Sequence, residues 1–126
     1  MPVYQNKGTY LFVEAGEPYA LHTLLAMVQE VADRCQKENL HKAIVDLTQM
    51  DGNPSILDRY TIGVEVARVC GATIQCAAIA KQSVINYVVE NAAVNRGAKL
   101  KVVSTIEEAM EWLMVEKSSA TTSNSE

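Results

Sequence analysis

The stretch Asn95-Arg96-Gly97-Ala98-Lys99-Leu100-Lys101-Val102-Val103-Ser104-Thr105-Ile106-Glu107-Glu108-Ala109-Met110-Glu111-Trp112-Leu113 decides how the rest of the chain is read. Gly97 offers the left-handed stop that ends a helix. Leu100, Val102 and Val103 then make a short apolar strand. Ser104 and Glu107 have the Ser-x-x-Glu spacing of a capping box, ahead of Ile106, Ala109, Met110 and Leu113 at helical spacing. Helix end, strand and capped helix follow one another at the pitch of an alternating α/β protein.

The same alternation extends towards the N-terminus. Ser83 begins a helix with Val84, Ile85, Val88, Val89 and Ala92 turned inward, ending at Gly97. Before it, Ile74-Gln75-Cys76-Ala77-Ala78-Ile79-Ala80 is apolar nearly throughout, as a strand covered on both faces requires. The helix before that has two candidate starts. Asn53 can cap it with Pro54 at its first position, or Ser55 can cap it with Asp58 three residues on. Its inner face reads Ile56, Tyr60, Gly63, Ala67 and Cys70, its phase puts Asp58 and Arg59 in solvent, and Gly71 stops it.

Ala43-Ile44-Val45-Asp46-Leu47 is another short strand, and Asp51-Gly52 marks a turn after it. Leu21, Leu24, Leu25, Val28, Val31 and Cys35 form one stripe of a long helix that Asn39 ends. Val3-Tyr4-Gln5 and Tyr10-Leu11-Phe12-Val13 make a hairpin across Asn6-Lys7-Gly8. The expected fold is therefore α/β: a four- to five-stranded mixed, mainly parallel sheet flanked by about four helices. Residues 1–115 form the one domain and 116–126 a polar tail without periodicity.

Composition narrows the function by exclusion. The chain has 126 residues, 48% of them hydrophobic, and a net charge of −4. Its eleven Lys and Arg are scattered, without the basic stripe that nucleic-acid binding requires. No apolar run reaches the ~20 residues of a membrane span. Met1-Pro2-Val3-Tyr4-Gln5-Asn6 lacks the features of a secretory signal, so the expectation is a soluble cytoplasmic protein. Cys35, Cys70 and Cys76 have no paired spacing and sit in apolar patterns, as reduced core residues do. His22 and His41 have no further ligand at metal spacing, and neither a glycine-rich phosphate loop nor a nucleophile elbow occurs. The residues call for no cofactor and no metal.

Ligands of open α/β sheets gather beyond the carboxyl ends of the strands. Three segments fall there: Asp46-Leu47-Thr48 with the loop to Ser55, Ala80-Lys81-Gln82-Ser83, and Val103-Ser104-Thr105. Ser55 and Ser83 stand at helix starts, where free amides and the helix dipole suit an anion, and Lys81 adds a charge nearby. Both serines also read as ordinary caps, and Asp46 as an acceptor for the loop after it. Catalysis would require Asp46, Thr48, Lys81 and Ser83 to cluster in a cleft. A small apolar or lipid-like ligand between helix and sheet would find adaptable lining in Tyr60, Tyr87, Met110, Trp112 and Met114, which core packing explains equally. Edge strands and Trp112 that need cover are compatible with a homodimer.

Val45-Asp46-Leu47-Thr48, the loop into Ser55-Ile56-Leu57-Asp58-Arg59-Tyr60, Val94-Asn95-Arg96-Gly97, and Thr105-Ile106-Glu107-Glu108-Ala109-Met110-Glu111-Trp112-Leu113 together resemble the SpoIIAA-like branch of the STAS-like domains. These are small α/β relatives of bacterial anti-sigma-factor antagonists. The resemblance covers about residues 1 to 115. It implies a non-catalytic switch, in which a kinase phosphorylates a serine at the start of the second helix and so abolishes binding to a protein partner. Antagonists carry an Asp-Ser pair soon after the Asp-Leu strand end. This chain has Asp51-Gly52-Asn53-Pro54-Ser55, making Ser55 the candidate phospho-acceptor, with Thr48 the other hydroxyl. Asp46, Thr48, Asp58, Arg59, Lys81 and Ser83 are the candidate partner- or ligand-binding residues. The partner would be a regulator or a kinase-like protein.

Overall fold

The computed structural model describes residues 2–115, and in that span hydrophobic period and element type agree almost throughout. β1 (Val3–Asn6) and β2 (Leu11–Glu14) form the antiparallel hairpin. Then follow α1 (Leu21–Lys37), β3 (Lys42–Asp46), α2 (Ile56–Cys70), β4 (Gln75–Ile79), a 3-10 turn (Gln82–Val84), α3 (Val88–Val94), β5 (Lys99–Val103) and α4 (Ile106–Leu113). The five strands lie in the order β1-β2-β3-β4-β5, and β2 to β5 are parallel. The expected tail at 116–126 lies outside the described residues.

Strand alternation divides the core in two. Val13, Ala43, Cys76 and Leu100 join a cluster with Leu24, Val28, Val31, Ile62, Val66 and Ala93, so α1, α2 and α3 cover that face. Ile44, Ala77, Ile79 and Val103 point the other way and pack with Ala109 and Leu113 of α4. β3 and β4 are thus apolar on both faces because both are covered.

The helix ends follow from local chemistry. Asn39 takes φ 58 after α1, and Leu40 donates its amide to Cys35 O at 2.8 Å. Gly97 takes φ 95 after α3, and Ala98 donates to Ala93 O at 3.1 Å. Both bonds close a Schellman-type stop that satisfies an end carbonyl. Among the glycines, Gly63 has a steric role: a Cβ there would lie 2.5 Å from Val89 O and 2.7 Å from Ala92 Cβ, so α2 and α3 touch backbone to backbone.

Three sequence expectations are corrected. Ser83 does not start a helix; it lies inside the 3-10 turn, and α3 begins at Val88. Asn86 is the reason, since its Oδ1 accepts the Val88 amide at 3.1 Å, a local bond that competes with helix. The cap of α4 is Thr105 rather than Ser104. Thr105 Oγ1 accepts the Glu108 amide at 3.1 Å, while Glu108 Oε1 accepts the amide and hydroxyl of Ser104. Ser-Thr-x-Glu-Glu fits the box in two registers, and the chain takes the later one. The buried face of α2 is Ile62, Gly63, Val66 and Cys70, whereas Ile56 and Tyr60 are exposed. Gly63 and Cys70 face inward as expected, and Ile62 and Val66 lie beside them in place of Ile56 and Tyr60.

Candidate functional site

The first turn of α2 stands at the carboxyl edge of the parallel strands. Ser55 has extended backbone (φ −67, ψ 170), and its Oγ accepts the Asp58 amide at 3.1 Å. Of the two starts open to the sequence, the structure takes the Ser55 cap. Beyond it Ile56 is 62% exposed and Leu57 72% exposed, with Tyr60 also exposed. These apolar side chains lie uncovered beside one another at the start of the helix.

The loop leading to Ser55 is held from below. Asp46 Oδ1 accepts the amide and hydroxyl of Thr48 at 2.9 and 2.7 Å, closing a turn at the end of β3. This is the ordinary role of such an aspartate, and it occupies both residues. The Tyr19 amide donates to Asp51 O at 2.8 Å, and the Tyr19 hydroxyl to Asp58 Oδ2 at 2.9 Å. Burial, then the Asp58 hydrogen bond and charge, push the Tyr19 hydroxyl up to about 12.

Arg59 is the joint of the site. Nε donates to Pro54 O at 3.1 Å, and Nη1 to Val84 O at 3.0 Å and Asn86 Oδ1 at 3.3 Å. One guanidinium thus links the loop before α2, the 3-10 turn and the start of α3, using its fork of donors. Asp58 and Arg59 are therefore half-buried and engaged, not the solvated pair that helix phase suggests. Tyr60 pairs with Arg96, which donates to its hydroxyl and lies 5.0 Å from its ring centroid.

Under α2 the same edge opens into a cavity of about 350 Å³. Its floor is the row Val45, Ala78 and Val102, register partners across β3, β4 and β5. Ala78 is on a central strand and still only half-buried, because small Cys76 and Ala78 leave space below Val28, Ile62 and Val66. Lys81, Ser83 and Arg59 line this opening, whereas Asp46, Thr48 and Ser55 do not. The candidate residues therefore separate into Ser55 and Asp58 at the start of α2, Asp46 and Thr48 at the end of β3, and Arg59, Lys81 and Ser83 at the cavity. The Asp46-Thr48-Lys81-Ser83 cluster that catalysis would require is split between them.

Of the expected ligand-lining residues, Tyr87 alone lines the cavity. Met110 and Trp112 pack on the opposite sheet face, Tyr60 is held by Arg96, and Met114 is 85% exposed. The strands that line the cavity were legible as apolar runs, and the space above small Cys76 and Ala78 was not read from them. All three cysteines are buried. Burial pushes the Cys35 thiol up to about 11, and Cys76, donating to Cys70 Sγ at 4.0 Å, is raised well above its ordinary value. Among the described residues no group of three or more His, Cys, Asp or Glu is placed to hold a metal. No helix among them is long and apolar enough to cross a membrane.

The chain is an α/β domain whose sheet is parallel and in sequential order apart from one hairpin strand at its edge, with α4 packed on its second face. Its fold is shared by a crystal structure of an anti-sigma factor antagonist from Mycobacterium paratuberculosis, with a TM-score of 0.59 over 88% of this chain and 91% of that one, at 10% sequence identity. No family model and no curated protein matches the sequence. The fold implied by the SpoIIAA-like resemblance is thus the observed one.

Proposed function

We propose that this chain is a non-catalytic cytoplasmic regulatory module that binds a protein partner through the first turn of α2, with Ser55 as its phospho-acceptor. One observation carries the reading: the exposed Ser55 hydroxyl at the start of α2 is followed by the uncovered side chains of Ile56 and Leu57. The comparison structure is named an anti-sigma factor antagonist, and an activity of that class needs no catalytic group. Asp46 and Thr48 close a turn, and Asp58 and Arg59 hold the platform, which agrees with binding rather than chemistry.

A phosphoryl group on Ser55 would add about −1.5 to −2 charges beside the Asp58 carboxylate, and would bring that charge into an apolar docking surface. Repulsion and desolvation would both oppose the partner. Mapping phosphate on the protein isolated from its own cells tests this. Phosphate on Ser55, with partner binding lost on modification, is expected. Phosphate confined to other positions, or a partner indifferent to Ser55→Asp, would overturn the reading.

A second reading, a domain that holds a small apolar or lipid-like ligand, is supported by the 350 Å³ cavity between α2 and the sheet. Volumes of ~300–1,000 Å³ are those of small-molecule sites.

A further inference from the structure

We infer that the cavity beneath α2 takes a single-chain amphiphile, its apolar tail against Cys76 and Ala78 and its anionic head at Arg59 and Lys81. This rests on the second reading above and adds the class of ligand. The chain has fifteen acidic and eleven basic residues, yet among the described residues no Asp or Glu lines the cavity. Among the described residues, the charged ones that line it are Arg59 and Lys81.

Both cations are at the same end. Lys81 follows β4 at the carboxyl edge and Arg59 lies in the first turns of α2, whereas Cys76 is near the start of β4. At about 3.3 Å per residue, Lys81 and Cys76 are separated by about 16 Å along the strand. The cavity is therefore polar at its mouth and apolar along its length. Arg59 donates only to neutral oxygens, Pro54 O, Val84 O and Asn86 Oδ1, and Lys81 makes no ion pair among the described residues. Two cations without a hydrogen-bonded carboxylate at an apolar opening fit a carboxylate or phosphate monoester that carries a hydrocarbon chain. At roughly 30 Å³ for a group the size of a water, the volume holds about ten to twelve such groups.

Isothermal titration of the full chain with straight-chain carboxylates, hexanoate to tetradecanoate, with decanol and with inorganic phosphate, tests the inference. Affinity is expected to rise about fourfold per methylene, the worth of one buried CH2, and to level off near twelve carbons. Decanoate is expected to bind about tenfold more tightly than decanol, and Lys81→Met to remove most of that advantage while leaving decanol binding unchanged. Ala78→Leu, which fills the cavity, is expected to abolish both; Val102→Leu serves if the first variant does not fold. Equal binding of decanol and decanoate would overturn the anionic-head inference while leaving the apolar-ligand reading in place. No binding of any chain, or binding that survives a folded cavity-filling variant, would overturn both. Phosphate binding without chain-length dependence would identify a free-anion site instead and overturn the inference.

Discussion

The Tyr19 hydroxyl donates to Asp58 Oδ2 at 2.9 Å and so ties the segment before α1 to the first turn of α2. This bond fixes the carboxylate that faces Ser55's end of the helix. It also makes stability depend on alkaline pH. Tyr19 is held up to about 12 by burial and by Asp58, above its ordinary value of about 10 in the unfolded chain. A group raised on folding contributes stability that is complete below the unfolded value and is lost as pH rises through the folded one. Between pH about 10 and about 12 the wild type is expected to lose stability more steeply than Tyr19→Phe. Tyrosinate absorbance during titration checks this directly, since Tyr19→Phe should lack the component near 12.

Ser55→Ala removes the cap of α2 and is expected to lower stability by about 1 kcal/mol in urea unfolding. Ser55→Asp keeps an oxygen that can cap and is expected to lose less than half of that. The two variants therefore separate the structural role of the hydroxyl from its proposed regulatory role. Equal losses would mean that Asp does not replace the cap.

Gly63→Ala places a methyl group where Val89 O and Ala92 Cβ already stand. Helix propensity favours the change by about 1 kcal/mol, but the clash between α2 and α3 is expected to exceed it, giving a net loss of about 1–3 kcal/mol. A stabilised variant in urea unfolding would show that the helices can separate freely.

Cys35, Cys70 and Cys76 are buried, and the thiols of Cys35 and Cys76 are raised by their surroundings. Reaction of Cys35 with a thiol reagent at neutral pH is expected to be slow in the native protein and complete on unfolding, because the thiolate is the reactive form, whereas the Cys76 hydrogen bond lowers the Cys70 thiol. Rapid labelling of Cys35 in the folded chain would contradict the packing of the first core cluster.

Much of the fold was legible because period and punctuation agree. The α1 stripe, the apolar strands and the stops at Asn39, Gly71 and Gly97 are local facts, and each appears where the sequence puts it. The misreadings have a common cause, which is that two local solutions were available and tertiary contact chose between them. Ser104 and Thr105 both fit a cap, and Glu108 selects Thr105. Apolar residues surround α2 on more than one side, and Ile62 and Val66, rather than Ile56 and Tyr60, join the core beside Gly63.

The site was legible in part. Ser55 as the cap and Asp46 as a turn acceptor follow from residue type and position. Arg59 as the link to Val84 and Asn86 spans 25 and 27 residues, a distance no local pattern encodes. The cavity likewise depends on small residues of β4 facing α2 across the layer, which is a property of the packing.

The measurement that bears most directly on the regulatory reading is partner retention by tagged full-length protein in its own cells, compared across wild type, Ser55→Asp, Leu57→Asp and Glu111→Lys. Glu111 lies on α4, on the opposite face of the sheet, and controls for a change of surface charge away from α2. The expected result is a partner held by wild type and Glu111→Lys and lost from Ser55→Asp and Leu57→Asp. Equal retention by all four would show that the first turn of α2 is not the docking surface.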